Sequence, residues 1–172
     1  MKLLREISLF LMLVSMLFVV VACSSEETIE TNILLPENIP SFVQESDFIK
    51  IDWKRKAVEF GDRRIIGNEN KSGVIGADMP TLNGQKWMWH LWGVENVELT
   101  VVGFHKETHT AHQVLYNGPG GDSYWTRQAV GENNGADAHM PSNIALPEKG
   151  EWAFLLYTND ELFDILVYDI NE

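Results

Sequence analysis

The eight residues Lys86-Trp87-Met88-Trp89-His90-Leu91-Trp92-Gly93 hold three of the chain's six tryptophans. Side chains alternate across a β-strand, so Trp87, Trp89 and Leu91 face one way and Met88, His90 and Trp92 the other. Both faces are mostly apolar. That pattern predicts a central strand buried between two layers, not an edge strand with one wet side.

The rest of the chain repeats the same period in shorter pieces. Residues 48–53 carry Phe48, Ile49, Ile51 and Trp53, followed by the basic Lys54-Arg55-Lys56 and then Val58 and Phe60, which reads as a hairpin. Arg64-Ile65-Ile66-Gly67 and Gly73-Val74-Ile75-Gly76 flank five polar residues, a second hairpin. After Pro80, Asn83-Gly84 signals a turn directly before the tryptophan strand. Residues 97–104 alternate Val97, Leu99 and Val101 against Glu98, Thr100 and Val102, so one face of that strand is expected to be wetter. Residues 117–135 are rich in Gly, Pro and Asn and read as long loops with a strand at 123–126. Trp152, Phe154 and Leu156, the turn Asn159-Asp160, and Phe163, Ile165 and Val167 form a closing hairpin. No window of 11 or more residues beyond the leader keeps helical spacing, while about nine short period-2 runs recur. The expectation is all-β: an antiparallel β-sandwich.

The N-terminus belongs to something else. Lys2 and Arg5 precede an apolar run over residues 7–22 broken only by Ser8 and Ser15, the pattern of a secretory signal. A spanning helix needs about 20 apolar residues, so this run is short for an anchor by itself. The one cysteine, Cys23, follows Val20-Val21-Ala22. This resembles the lipobox of bacterial lipoproteins, in which the cysteine receives diacylglycerol and becomes the new N-terminus. Ordinary cleavage at Ala22-Cys23-Ser24 also satisfies the small-x-small rule, and an uncleaved leader would leave Cys23 a free cysteine. Two acyl chains, at about 0.8 kcal/mol per buried CH2, make a stable anchor where one does not. The expected organisation is a signal peptide over 1–22, a lipidated N-terminus and flexible tether over 23–46, and a β-sandwich over 47–172. The expected location is the outer face of the cell membrane.

With residue Cys23 acylated no thiol remains, which excludes disulfides and a thiol nucleophile. Losing residues 1–22 leaves 11 basic and 24 acidic residues, a net charge of −13. Such a surface repels nucleic acid, so the expected partners are the membrane, through the lipid anchor, and an envelope protein or glycan.

Several segments together are similar to a family of uncharacterised lipoproteins and secreted proteins of Bacillus-like bacteria. They are Ile66-Gly67 with Gly73-Val74-Ile75, the tryptophan strand, Val102-Gly103-Phe104-His105-Lys106-Glu107-Thr108, Asn133-Asn134-Gly135-Ala136-Asp137-Ala138-His139-Met140-Pro141-Ser142, and the stretch from Leu146-Pro147 to Leu162-Phe163. The resemblance implies an immunoglobulin-like β-sandwich and an envelope location, and no chemistry. Asp164 stands where the family pattern leads one to expect glycine, and residues 117–125 look like an insertion.

Two polar groups invite a functional reading. His105, Glu107 and His109 share one face of an extended segment, with His112 following, and could ligate zinc. They equally fit a solvated strand end and turn. Asn133, Asn134, Asp137 and His139 fall within seven residues around Gly135 and could present oxygens to calcium or a polar site to a ligand. The same residue types also satisfy backbone groups in turns. Of the tryptophans only Trp125, beside Tyr124 in the glycine-rich stretch, is expected near the surface, where it could stack on a glycan; His90 is expected as a buried, hydrogen-bonded histidine. No nucleophile elbow, zinc-protease, P-loop or dinucleotide motif is present. The leading expectation is a non-catalytic binding module without cofactor or metal, with Asn133, Asn134, Asp137, His139 and Trp125 as ligand-binding residues and Cys23 as the lipidation site. The alternative is a metal-dependent hydrolase using the loop histidines and carboxylates.

Overall fold

Twelve strands and one short helix occupy the described part of the chain, which in this computed structural model is residues 32–77, 82 and 84–171. In chain order they are α1 (Glu45–Ile49), β1 (Val58–Phe60), β2 (Ile65–Asn68), β3 (Ser72–Ile75), β4 (Gln85–Leu91), β5 (Glu98–His105), β6 (Thr110–Gln113), β7 (Leu115–Tyr116), β8 (Ser123–Tyr124), β9 (Thr126–Gln128), β10 (Ala138–Ile144), β11 (Gly150–Thr158) and β12 (Glu161–Ile170). The signal sequence, the lipobox with Cys23, Pro80 and Asn83 lie outside the described residues.

The strands form the expected antiparallel sandwich. A seven-stranded sheet runs β1-β2-β3-β4-β10-β7-β8, and a five-stranded sheet runs β12-β11-β5-β6 with β9 also paired to β5. The tryptophan strand β4 sits between β3 and β10, central as predicted. Its inward residues Trp87, Trp89 and Leu91 meet Trp152, Phe154 and Leu156 of β11 and Leu166, Tyr168 and Ile170 of β12 in the core between the sheets. Trp87 lies 5.2 Å from Phe154 and 5.5 Å from Tyr168, centroid to centroid, in tilted pairs that aromatic quadrupoles favour. Each fully buried tryptophan contributes roughly 4 to 6 kcal/mol of gross transfer free energy as an upper bound.

A second apolar cluster lies on the other face of the five-stranded sheet. Val102 and Phe104 of β5, Ala153, Leu155 and Tyr157 of β11 and Val167 of β12 pack there against Val43, Phe48 and Ile51. Residues 33–53 form a strap across this face. The strap begins beside the β5–β6 turn, where Leu34 N–H donates to His109 O (2.9 Å) and Ala111 N–H to Leu34 O (3.0 Å).

Three expectations change here. Residues 48–53 do not form a strand: α1 and a following turn replace it, because Phe48 and Ile51, three apart, are buried while Ile49 is 80% exposed. That is the spacing of a helical turn. Asp47 fixes the start of α1 by accepting from Gln44 N–H (3.1 Å) and is itself buried, where Lys50 Nζ (2.8 Å) and the Tyr157 hydroxyl (3.1 Å) also bond it. Burial alone would raise the Asp47 pKa; the bonds from Lys50, the Gln44 N–H and Tyr157 outweigh it and hold the carboxyl below its ordinary value. Second, β5 has no wet face beyond Glu98, since the strap covers the side expected to meet solvent. Third, the packed unit starts at Asn32, so residues 33–46 belong to the domain and are not a free tether.

The closing hairpin forms as predicted, with Asn159 and Asp160 both at positive φ (52° and 65°) in the left-handed turn that matches strand twist. The register slips between Leu156 and Tyr157, leaving Phe163 as the extra residue of a bulge before Asp164. Asp164, the residue expected to be glycine, accepts from Asn68 Nδ2 (3.0 Å) and Ser72 Oγ (2.5 Å), tying β12 to the β2–β3 hairpin of the other sheet.

Candidate functional site

β5 gives the sandwich two ends. The β5–β6 turn, where the strap starts, is at the His105 end. At the Glu98 end, β9 pairs with β5, and the loop at 131–137 carries the chain from there to Ala138, opposite Leu91 at the end of β4. The 131–137 loop and the start of the strap therefore lie at opposite ends.

The loop is a small hairpin. Asn133 and Ala136 exchange two backbone hydrogen bonds (3.0 and 2.9 Å), and Asn134 and Gly135 between them both have positive φ (49° and 82°). An Asn-Gly pair supplies that geometry at the lowest steric cost. The hairpin folds over the outward face of β4 and covers His90, which is fully buried. His90 Nδ1–H donates to Met88 O (3.0 Å), so Nε2 is the acceptor for Asn134 Nδ2 (3.1 Å), which also donates to Asn133 Oδ1. Burial pulls the His90 pKa below its ordinary value; Asn133 Oδ1, 3.3 Å from Nε2, and the Met88 carbonyl oppose it only in part, and His139 adds to the lowering. His90 is thus neutral near pH 7. Trp92 Nε1–H donates to Gly135 O (2.7 Å), Gly93 N–H to Asp137 Oδ2 (2.6 Å), and Asp137 N–H to Leu91 O (3.0 Å). His139, cross-strand from His90, donates from Nδ1 to Gly131 O (2.6 Å).

Asn133, Asn134, Asp137 and His139 therefore lie together on this loop and the adjoining strand, and each spends at least one polar atom on the chain itself. A hollow of about 420 Å³ lined by Glu132, Asn133, Asn134, Gly135, Ala136 and Asp137 opens on the same loop. His90 and Trp92 complete the group. Sequence reasoning placed His90 as buried and bonded but put Trp92 in the core; it is half-buried and holds the loop. The available signal was alternation, which sets Met88, His90 and Trp92 on one face.

Trp125 is not at the surface. It is 8% exposed and packs in the second cluster, because it joins β8 of one sheet to β9 of the other and its ring enters the space under the strap. The expectation of a stacking platform there is corrected.

The other histidine group is divided. His105 is buried with its ring 4.8 Å from Trp152, Nε2 3.0 Å from Glu107 Oε2 and 3.1 Å from Lys149 O, and Nδ1 2.9 Å from Thr108 Oγ1 and 3.4 Å from Glu148 Oε1. His112 joins it across Trp152 (5.4 Å) and bonds Thr110 Oγ1 (2.6 Å). Burial lowers the His112 pKa, Glu148 opposes this and His105 adds to it. His109 stands in the turn at φ 54°, against Phe104 on the opposite face. Among the described residues no three His, Cys, Asp or Glu side chains are arranged to hold a metal ion.

A two-sheet antiparallel sandwich with its polar group on an end loop places the chain among small all-β modules. The chain belongs to the family described as Domain of unknown function (DUF4871), whose model matches residues 42–168. A crystal structure described as that of a putative lipoprotein from Bacillus anthracis shares the fold, with a TM-score of 0.62 at 20% identity over 78% of this chain and 97% of that one. No curated protein matches the chain.

Proposed function

We propose that the protein is a lipoprotein held at the outer face of the cell membrane by acyl groups on Cys23, and that it acts as a non-catalytic binding module for an envelope protein or glycan. The lipobox residues Val20-Val21-Ala22-Cys23 support the anchor, as does the description of the Bacillus anthracis relative as a putative lipoprotein. Eight residues lie between Cys23 and Asn32, nine chain steps with a reach of at most about 30 Å. The observation that carries the binding reading is the polarity of the fold. The strap starts at the His105 end, and the hollow at residues 132–137 opens at the opposite end of the sandwich. Loops on a rigid sandwich are where such folds carry recognition.

The test has two parts. Cys23→Ala should abolish radiolabelled palmitate incorporation and membrane retention; wild-type protein without label would sink the anchor. A photo-crosslinker at Asn134, in the lipidated protein on intact cells, should capture an envelope component that the same probe at Glu37 does not. Equal capture at both positions would remove the 132–137 hollow from the reading.

A further inference from the structure

The outward face of the seven-stranded sheet carries a second hollow, of about 400 Å³, at the other end of β4 from the 132–137 loop. Its floor is a row across three strands: Ile75 of β3, Met88 of β4 and Pro141 of β10 are register neighbours. Lys86 and Asn143, also cross-strand neighbours, continue the floor, and Gly76 and Arg127 border it. Gly76 sits at φ +100°, and any Cβ there would run into the Lys86 carbonyl at 2.5 Å. Backbone comes close where a side chain would otherwise fill the wall.

Arg127 reaches this face from β9 of the other sheet. It stacks on Tyr124 at 4.7 Å and donates to Asn117 Oδ1 (2.9 Å) and Pro141 O (3.3 Å), so its positioning partners are all neutral. Among the described residues neither Arg127 nor Lys86 has a carboxylate within ion-pair distance, although the chain as a whole carries a charge of −12. Lys56 and Lys106, in contrast, are neutralised by Glu151 and Asp169. Two cations with no carboxylate partner among the described residues therefore line one hollow with an apolar floor. Across the floor β3, β4 and β10 pair with one another, and Arg127 takes the outward Pro141 carbonyl, so recognition on this face falls to side chains.

We infer that this hollow is a binding site for a small amphipathic organic anion, its apolar body on Ile75, Met88 and Pro141 and its carboxylate between Lys86 and Arg127. The volume lies at the lower end of the range of small-molecule sites, and Arg with Lys supplies charge-assisted bonds that a neutral headgroup does not receive. The site is independent of the 132–137 loop and stands or falls without it.

Octanoate is the probe, with octanol and octylammonium as controls of equal chain length. Calorimetric titration of the full Cys23→Ala chain, prepared without detergent, should show octanoate binding at least about tenfold more tightly than either control. The K86Q/R127Q double variant should lose about that factor for octanoate and keep its affinity for octanol. Arg127 also holds Asn117 and Pro141, so K86Q alone, which breaks no side-chain hydrogen bond or ion pair among the described residues, serves as the second variant and should retain the wild-type melting midpoint while weakening octanoate. Equal affinities for the three probes would overturn the inference, as would unchanged octanoate binding in K86Q and the double variant. Binding of the acidic peptide acetyl-Glu-Leu-Glu-amide with no octanoate binding would overturn it in favour of a peptide surface.

Discussion

The two faces of the five-stranded sheet are buried by different means. One packs against a second sheet, and its core of Trp87, Trp89, Trp152 and Phe154 is closed by ladders on both sides. The other is covered by a single strap with one helix of five residues, and its cover includes Phe42, Val43, Phe48 and Trp125. Both faces of β5 are nearly inaccessible to water, yet only the first is held by continuous backbone pairing. Local opening should therefore cost less on the strap side, because fewer elements must move together to expose it.

The largest effect is expected in the inter-sheet core. Trp89→Ala and Trp152→Ala should each lower stability by about 3 to 5 kcal/mol, a large share of a single domain's total. Trp89 also donates to Ser142 Oγ (2.9 Å) and Trp152 to the Glu148 carbonyl (3.1 Å), so truncation strands a buried hydroxyl in the first case. Urea melts measure both. Values below about 1 kcal/mol would mean that the core between the sheets does not govern cooperativity.

Phe48→Ala tests the other face. Its ring is 5% exposed and 4.6 Å from Phe104, but the strap can settle onto the space left behind. The expected loss is about 3 kcal/mol, the low end for a phenylalanine truncation, together with faster exchange of Phe104 and Leu155 amides. A loss equal to that of Trp152→Ala, with no change in exchange on the strap side, would erase the distinction between the two faces.

That distinction also separates what was legible in the sequence. The faces of β4 follow from alternation over eight neighbouring residues, and the Asn159-Asp160 turn from its own two side chains. The strap is a different problem: Phe48, Ile49, Ile51 and Trp53 fit a short strand nearly as well as one helical turn and its exit, and only the sheet beneath decides which residues are buried. Trp125 failed for a related reason, because a glycine-rich neighbourhood marks where the chain turns and not which sheet the next strand joins. In the candidate loop, Asn134-Gly135 was readable as a turn. Its cover of His90 was not, since that depends on the pairing of β4 with β10, some 50 residues apart in the chain.

A smaller effect is expected from Asp137→Ala in this loop. The carboxylate accepts from the Gly93 N–H, which is exposed and can turn to water, so the loss should be about 1 kcal/mol, not the 3 of a buried orphan. Melts of wild type and variant with calcium and with chelator read a second quantity. If the loop serves only its own backbone, calcium leaves both midpoints unchanged. A wild-type midpoint that climbs with the ion as RT ln(1 + [L]/Kd), and does not climb in the variant, would make the loop a cation site instead.

The smallest effect is a pH dependence carried by His90. Its folded pKa lies below the ordinary 6.5, so around and below that pH the unfolded chain binds more protons than the folded one. The stability His90 contributes is complete above about pH 6.5 and is lost as the pH falls towards its folded pKa, by at most about 1.4 kcal/mol per pH unit. His112, also lowered by burial, titrates in the same sense from the other end of the molecule. The two can be separated: His90→Gln should flatten part of the decline in melting midpoint between pH 7.5 and 5, and His112→Gln another part. Protonating His90 removes the acceptor that Asn134 Nδ2 uses at 3.1 Å, so Asn134 and Gly135 amides should exchange faster at pH 5 than at pH 7.5, after correction for intrinsic rates, and only where His90 is present. Identical pH profiles in wild type and His90→Gln would show that the imidazole is not neutral beneath the loop and that Asn134 is held there by its bond to Asn133 alone.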